Sequence, residues 1–170
     1  MLANKVARLT IGPGTQNLDM GPLNSAVQLD KILALVESGV SEGADLLVDG
    51  RLNKCCQQPG YSLGGCLFDN VKTGMRIYQE EIFGPMLCLM RAETASEALE
   101  IVNGNQYGNG TSIFTRDGHA ARQFASGVQA GMVGINVPLP VPAANNSFGG
   151  WEDSRYGDLA AYGPDGGRFY

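Results

Sequence analysis

Between Met86 and Asn136 the sequence alternates short apolar runs with helix-patterned segments, and this alternation restricts the fold more than any other feature. Met86 to Met90 is a continuous apolar run of strand length after Pro85, as expected for a strand covered on both faces inside a sheet. Thr94-Ala95-Ser96-Glu97 then reads as a capping box, in which hydroxyl and carboxylate each take a backbone N–H at a helix start. Ala98, Leu99 and Val102 supply the buried stripe of that helix, which ends near Gly104. The order repeats with Thr111 to Thr115 as strand, Asp117 to Ser126 as helix stopped by Gly127, and Met132 to Asn136 as strand. Short strands separated by helices of about ten residues require crossover connections and a parallel sheet. The expected class is therefore α/β with a parallel sheet.

Upstream, Val27, Ile32, Leu35 and Val36 recur at helical spacing over Asn24 to Ser38, with Asn24 or Ser25 as cap and Gly39 as stop. Leu46 to Val48 and Gly60 to Phe68 look extended. Downstream, Val137 to Ser147 is a long loop rich in Pro, Ala and Asn, and Gly149 to Tyr170 reads as an irregular tail. Loops at the carboxyl ends of parallel strands are where ligands bind in such folds.

A net charge of −5 and a pI near 4.8 argue against nucleic acid or an acidic membrane surface as partner. No apolar run reaches the ~18 residues needed to span a bilayer, so a cytoplasmic location is expected, or an organellar matrix. Cys55, Cys56, Cys66 and Cys88 form no CxxC pair, and the single histidine, His119, lies far from all four, so no metal site is expected. Cys66 and Cys88 sit in apolar, strand-like surroundings, Cys55-Cys56 in a polar loop, and none looks like an activated nucleophile. A glycine-rich phosphate loop is absent. His119, at a helix start, reads as a solvated surface residue.

Two stretches carry chemistry. In Glu80-Glu81-Ile82-Phe83-Gly84-Pro85, adjacent carboxylates abut an aromatic and a Gly-Pro turn just before a strand. They form either a solvated acidic turn or an acceptor for the two hydroxyls of a ribose diol. Ser147-Phe148-Gly149-Gly150-Trp151 follows the stiff loop Pro138-Leu139-Pro140-Val141-Pro142. There an aromatic either walls an apolar pocket or belongs to a small cluster under a long loop.

Six stretches stand in an order that resembles the aldehyde dehydrogenase superfamily: Asp19-Met20-Gly21-Pro22, Glu42-Gly43-Ala44, Glu80 to Pro85, Gly108-Asn109-Gly110 with Phe114 to Asp117, Gly131 to Asn136, and Phe148-Gly149-Gly150. Tyr61 to Gly65, Met75 to Gln79, the segment from Gly134 through the Val141-Pro142 loop, and Phe169 are similar to its CoA-acylating methylmalonate-semialdehyde branch. The resemblance implies a parallel-sheet catalytic domain, cut to its C-terminal part and occupying 1–170 with its tail at 149–170. It also implies the family's chemistry. A cysteine thiolate attacks a semialdehyde, hydride passes to NAD, and CoA takes the acyl group with decarboxylation to give propionyl-CoA or acetyl-CoA.

Carried over by position, Glu81 would bind the nicotinamide ribose and Phe83 would pack beside the nicotinamide. Gln28 and Lys31 would stand near the same ribose. Phe148 would line a substrate tunnel with Pro138, Pro140 and Pro142. The resemblance places the nucleophile and the nucleotide-binding domain upstream of Met1, so no catalytic residue is assigned and no NAD or CoA is expected on this chain alone. Glu152-Asp153 replaces the basic residue expected after the aromatic-Gly-Gly stretch. The alternative reading is a non-catalytic oligomerisation or interaction module derived from that domain, which pairs with another chain or with itself by self-association.

Overall fold

The structure is a computed structural model that describes residues 1–143, 145–157, 160 and 162–169. Its contacts divide the chain into two compact units, 1–91 and 92–170.

The first unit is built on one long helix and a small sheet. Helix α1 is Leu2–Ala7 and α2 is Ala26–Ser41. Ser25 caps α2 by accepting the Gln28 N–H. Ile32, Leu35 and Val36 are completely buried, as their spacing predicts, but Val27 is 78% exposed, since it lies in the first turn off the buried stripe. Gly39 does not stop the helix. It is a buried interior residue, and α2 runs on to Ser41. Strands β1 (Asp45–Val48), β2 (Cys66–Asp69) and β3 (Met86–Cys88) form one sheet in that order, with β1 antiparallel to β2 and β2 parallel to β3. A short helix, α3 (Arg76–Gln79), connects the parallel pair.

Here the expected strand roles are exchanged. All four residues of β2 are buried, whereas β3 lies at the sheet edge with Leu87 46% exposed. An apolar run fits a strand buried on both faces, but the same run also serves an edge, and periodicity cannot tell them apart. Residues 60–65 run into β2 without being part of it. The core is Phe68, Cys66, Ile32, Leu35, Val36, Leu63, Val71, Met75 and Ile77, closing the sheet against α2 and α3.

In the second unit α4 (Ala95–Asn103) begins at the predicted box. Thr94 Oγ1 accepts the Glu97 N–H at 3.1 Å, and the Glu97 carboxylate reaches one residue further back to the Glu93 N–H at 2.7 Å. Strands β4 (Tyr107–Gly108) and β5 (Gly110–Ile113) lead into α5 (Gly118–Gly127), capped by Asp117, and then β6 (Met132–Ile135). Strands β5 and β6 pair in parallel from Gly110↔Met132 to Ile113↔Ile135, the arrangement a helical crossover requires.

The tail is more ordered than its composition suggests. Strand β7 (Trp151–Glu152) pairs antiparallel with β4, and α6 (Gly166–Phe169) follows a short 3-10 turn at Gly163–Asp165. Residues 158, 159, 161 and 170 of that tail lie outside the described residues, as do residue 144 of the proline-rich loop and the side chain of Phe169. No helix among the described residues is long and apolar enough to cross a membrane.

Candidate functional site

The acidic turn at 80–85 is held from one side by α2. Gln28 and Lys31 are three residues apart and so share a helix face. The Gln28 side-chain amide donates to the carbonyls of Ile82 at 2.9 Å and Phe83 at 3.0 Å, and Lys31 Nζ donates to the carbonyl of Glu81 at 2.9 Å. Three consecutive carbonyls are thereby tied to one helix. Gly84 passes so close to the Ile32 side chain that any side chain of its own would collide there, which explains a glycine at this point.

This clamp counters a local cost. Phe83 has φ +53°, the left-handed region that disfavours a bulky residue by roughly 1–3 kcal/mol. Hydrogen bonds contribute about 0.5–1.5 kcal/mol each, and about 1.5–3 when one partner is charged, so three of them are enough to hold the turn. The consequence is a fixed display. Phe83 is 73% exposed, and Glu81 is exposed with no hydrogen bond from its carboxylate to any described residue.

The adjacent carboxylates are not equivalent. Glu80 pairs with Arg76 one helical turn earlier, and that hydrogen-bonded guanidinium holds the Glu80 carboxyl below its ordinary value. Glu80 is therefore engaged within the fold, whereas the Glu81 carboxylate has no hydrogen-bond partner among the described residues. Sequence order cannot separate two neighbouring glutamates. Their different surroundings do.

The four residues Gln28, Lys31, Glu81 and Phe83 are thus brought to one corner of the first unit. Gln28 and Lys31 have their donors directed at the turn's own carbonyls, a positioning role that their helix spacing could have suggested.

In the second unit Phe148 is half-buried and packs on Tyr162, with ring centroids 5.2 Å apart and planes at 41°. Beside it lies a cavity of about 160 Å³ that Asn109, Ser154, Arg155 and Ala160 also line. The prolines stand elsewhere in the unit: the Pro138 carbonyl accepts from Ser112 Oγ at 3.4 Å, and Pro140 packs over Gly110 and Gly134 of the β5–β6 pair. Asn136, with φ +58° at the end of β6, accepts the Thr115 N–H and donates to the Thr115 carbonyl, fixing the start of that loop.

None of the three buried or half-buried thiols is activated. Burial pushes Cys88 up to about 11, and burial with the adjacent Cys56 sulfur does the same for Cys55. Cys66 is raised by burial as well. A nucleophilic cysteine needs the opposite shift.

Parallel strand pairs joined through helices put the chain in the α/β class. The aldehyde dehydrogenase family model matches residues 1–170, and the chain belongs to that family. A malonate-semialdehyde dehydrogenase of Pseudomonas aeruginosa is 54% identical over 171 residues, covering 99% of this chain and 34% of that protein. A methylmalonate-semialdehyde dehydrogenase structure from Oceanimonas doudoroffii superposes with TM-score 0.95 at 47% identity, over 99% of this chain and 35% of that one. A Sinorhizobium meliloti protein of the same class, crystallised with NAD, gives TM-score 0.94 at 48% identity over the same shares. The chain spans about a third of the length of the relatives it matches.

Proposed function

We propose that this chain is a segment of an NAD-dependent (methyl)malonate-semialdehyde dehydrogenase, and that it supplies cofactor-side and substrate-side contacts to chemistry whose nucleophile it does not contain. The observation that carries this reading is the Glu81 carboxylate, exposed on a turn that Gln28 and Lys31 hold by its backbone. A fixed carboxylate with both oxygens available suits a vicinal ribose diol, because each oxygen can accept one hydroxyl in a charge-assisted bond. The carboxylate therefore fits a nicotinamide ribose as an acceptor pair. Phe83, displayed two residues further along the turn, would shield one face of the nicotinamide ring from water.

NAD, when bound, would accept the hydride of the semialdehyde, and CoA would take the acyl group. This chain's residues would orient the ribose through Glu81 and keep that carboxylate in place through Gln28 and Lys31. Phe148 would form an apolar wall on the substrate side, and the 138–142 loop, packed over the β5–β6 pair, would contribute from elsewhere in the unit. Cys55, Cys66 and Cys88 are raised by burial, so none of these three suits attack on a semialdehyde.

The test has two arms. Supplied with malonate semialdehyde, NAD and CoA, the isolated chain should form no NADH, and NADH production at an enzymatic rate would sink that claim. Substituting this segment for the matching third of the Pseudomonas aeruginosa relative should restore turnover. In that chimera Glu81→Gln should raise KM for NAD; an unchanged KM would remove Glu81 from the site.

A second reading is favoured by a groove of about 520 Å³ along α4 and α5, walled by Leu99, Ile113 and Phe124. Such an apolar face supports self-association of the segment. Size-exclusion chromatography with light scattering decides it, since a clean monomer leaves that reading without support.

A further inference from the structure

Two cysteines, Cys56 and Cys66, meet at the backbone of Gly50, and a third, Cys55, lies against Cys56; the dehydrogenase reading uses none of them. Asn53 caps a 3-10 turn, Lys54–Gln57, through its side-chain oxygen on the Cys55 N–H at 2.9 Å. That turn brings the sulfurs of Cys55 and Cys56 to 3.9 Å. Cys56 Sγ donates to the Gly50 carbonyl at 3.4 Å, and the Gly50 N–H donates to Cys66 Sγ at 3.3 Å. Cys56 is exposed, Cys55 is 3% exposed directly beneath it, and Cys66 is buried in β2.

The sulfur separation discriminates between chemistries. A disulfide needs the sulfurs to close to about 2.05 Å, which two neighbouring residues on one turn achieve poorly. A trivalent centre bonded to both sulfurs at about 2.3 Å with pyramidal angles of roughly 95° holds them ~3.4 Å apart, a much smaller closure. The observed 3.9 Å, an ordinary contact between two free thiols, lies nearer the bridged span than the disulfide's. A pair of sulfurs on one turn suits a centre that takes two ligands from the protein and brings its remaining substituent with it. A trivalent organoarsenical has that valence.

We propose that Cys55 and Cys56 form a vicinal dithiol site that captures a trivalent arsenical through two As–S bonds. With an arsine oxide the step is a condensation. Two S–H bonds and the As–O bonds break, two As–S bonds form, and both thiol protons leave on the oxide oxygen as one water. Arsenic stays trivalent, so no oxidant enters. The exposed Cys56 bonds first. Cys55, held within reach by the Asn53-capped turn, closes the chelate and loses its burial-disfavoured ionisation by becoming a neutral arsenic ligand. Cys66 anchors the Gly50 floor without joining the ring.

Phenylarsine oxide is the probe, with intact-mass and peptide-mapping mass spectrometry on the full chain. One adduct per chain is expected, mapped to the peptide that holds Cys55 and Cys56, resistant to excess glutathione and removed by dimercaptopropanol. Cys56→Ser, an exposed substitution checked for folding by far-ultraviolet circular dichroism, should lose the glutathione-resistant adduct, while Cys88→Ala should keep it. A resistant adduct that survives in Cys56→Ser, maps to Cys66 or Cys88, or is stripped from the wild-type chain by glutathione alone overturns the proposal. A free 55–56 disulfide formed on purification in air, refractory to the probe until reduced, also overturns it, because the sulfurs would then prefer direct bonding.

Discussion

Gly39→Ala sets two well-defined effects against each other. In an exposed helix interior, replacing Gly with Ala gains about 1 kcal/mol, because glycine loses more backbone freedom on folding. Gly39 is buried in α2, and a Cβ built there lies 2.9 Å from Phe68 Cε1, 3.0 Å from Ile77 Cδ1 and 3.1 Å from Phe68 Cζ. Carbon atoms prefer 3.5–4.0 Å. Phe68 is fully buried and Ile77 2% exposed, so neither can swing into solvent to make room. Overpacking a tight core costs about 1–3 kcal/mol, so the steric term outweighs or cancels the helix gain. The net expectation is a loss of ~0–2 kcal/mol for Gly39→Ala, and several kcal/mol for Gly39→Val, whose two extra methyls meet the same wall. Urea unfolding followed by circular dichroism reads this as a lowered midpoint at unchanged slope. Ile77→Val removes the Cδ1 atom and should recover part of the loss in the double variant, a coupling of about 0.5 kcal/mol or more. A Gly39→Ala chain stabilised by the full ~1 kcal/mol, with no coupling to Ile77, would refute the packing argument.

Three other outcomes follow from the same contacts. Thr94→Ala removes the hydroxyl that accepts the Glu97 N–H and should cost about 1 kcal/mol of stability, measured by thermal unfolding; no loss would show that Glu97 alone secures the helix start. Asp69 is held below its ordinary value by hydrogen bonds from Arg91 and then from the Asn70 N–H. Its folded-state pKa is depressed, so its contribution is present above the ordinary Asp value and lost as pH falls through the folded one. Asp69→Asn should flatten the acid limb of a stability–pH profile, and an unchanged limb would remove Asp69 from it. Cys88 is raised to about 11 from 9.0, so it stays protonated at pH 8 and should alkylate far more slowly than exposed Cys56. Because the folded value is the higher one, the neutral thiol's contribution is full below 9 and lost as pH rises toward 11, an alkaline destabilisation that Cys88→Ala should remove.

Local chemistry wrote part of this protein plainly. The Thr94 and Asp117 caps, the buried stripe of Ile32, Leu35 and Val36, and the parallel pairing of β5 with β6 follow from residues close in sequence, because caps and helical periodicity act within a turn or two. The ordered motifs from Asp19 to Gly150 likewise carried the family without coordinates.

Other features needed the fold, since they depend on partners far along the chain. Gly39 looked like a stop until Phe68 and Ile77 showed why that face of the helix has room for nothing larger. The 86–90 run looked interior, yet β2 took the doubly buried position and β3 the edge, a choice made by sheet order rather than by hydropathy. Trp151 and Glu152 looked irregular until Tyr107 and Gly108 supplied a strand to pair with. Glu80 and Glu81 are the same residue type side by side. Glu80 takes an arginine four residues back on its own short helix, a local pair, and only tertiary structure fixes the backbone of Glu81 to a helix fifty residues away in sequence.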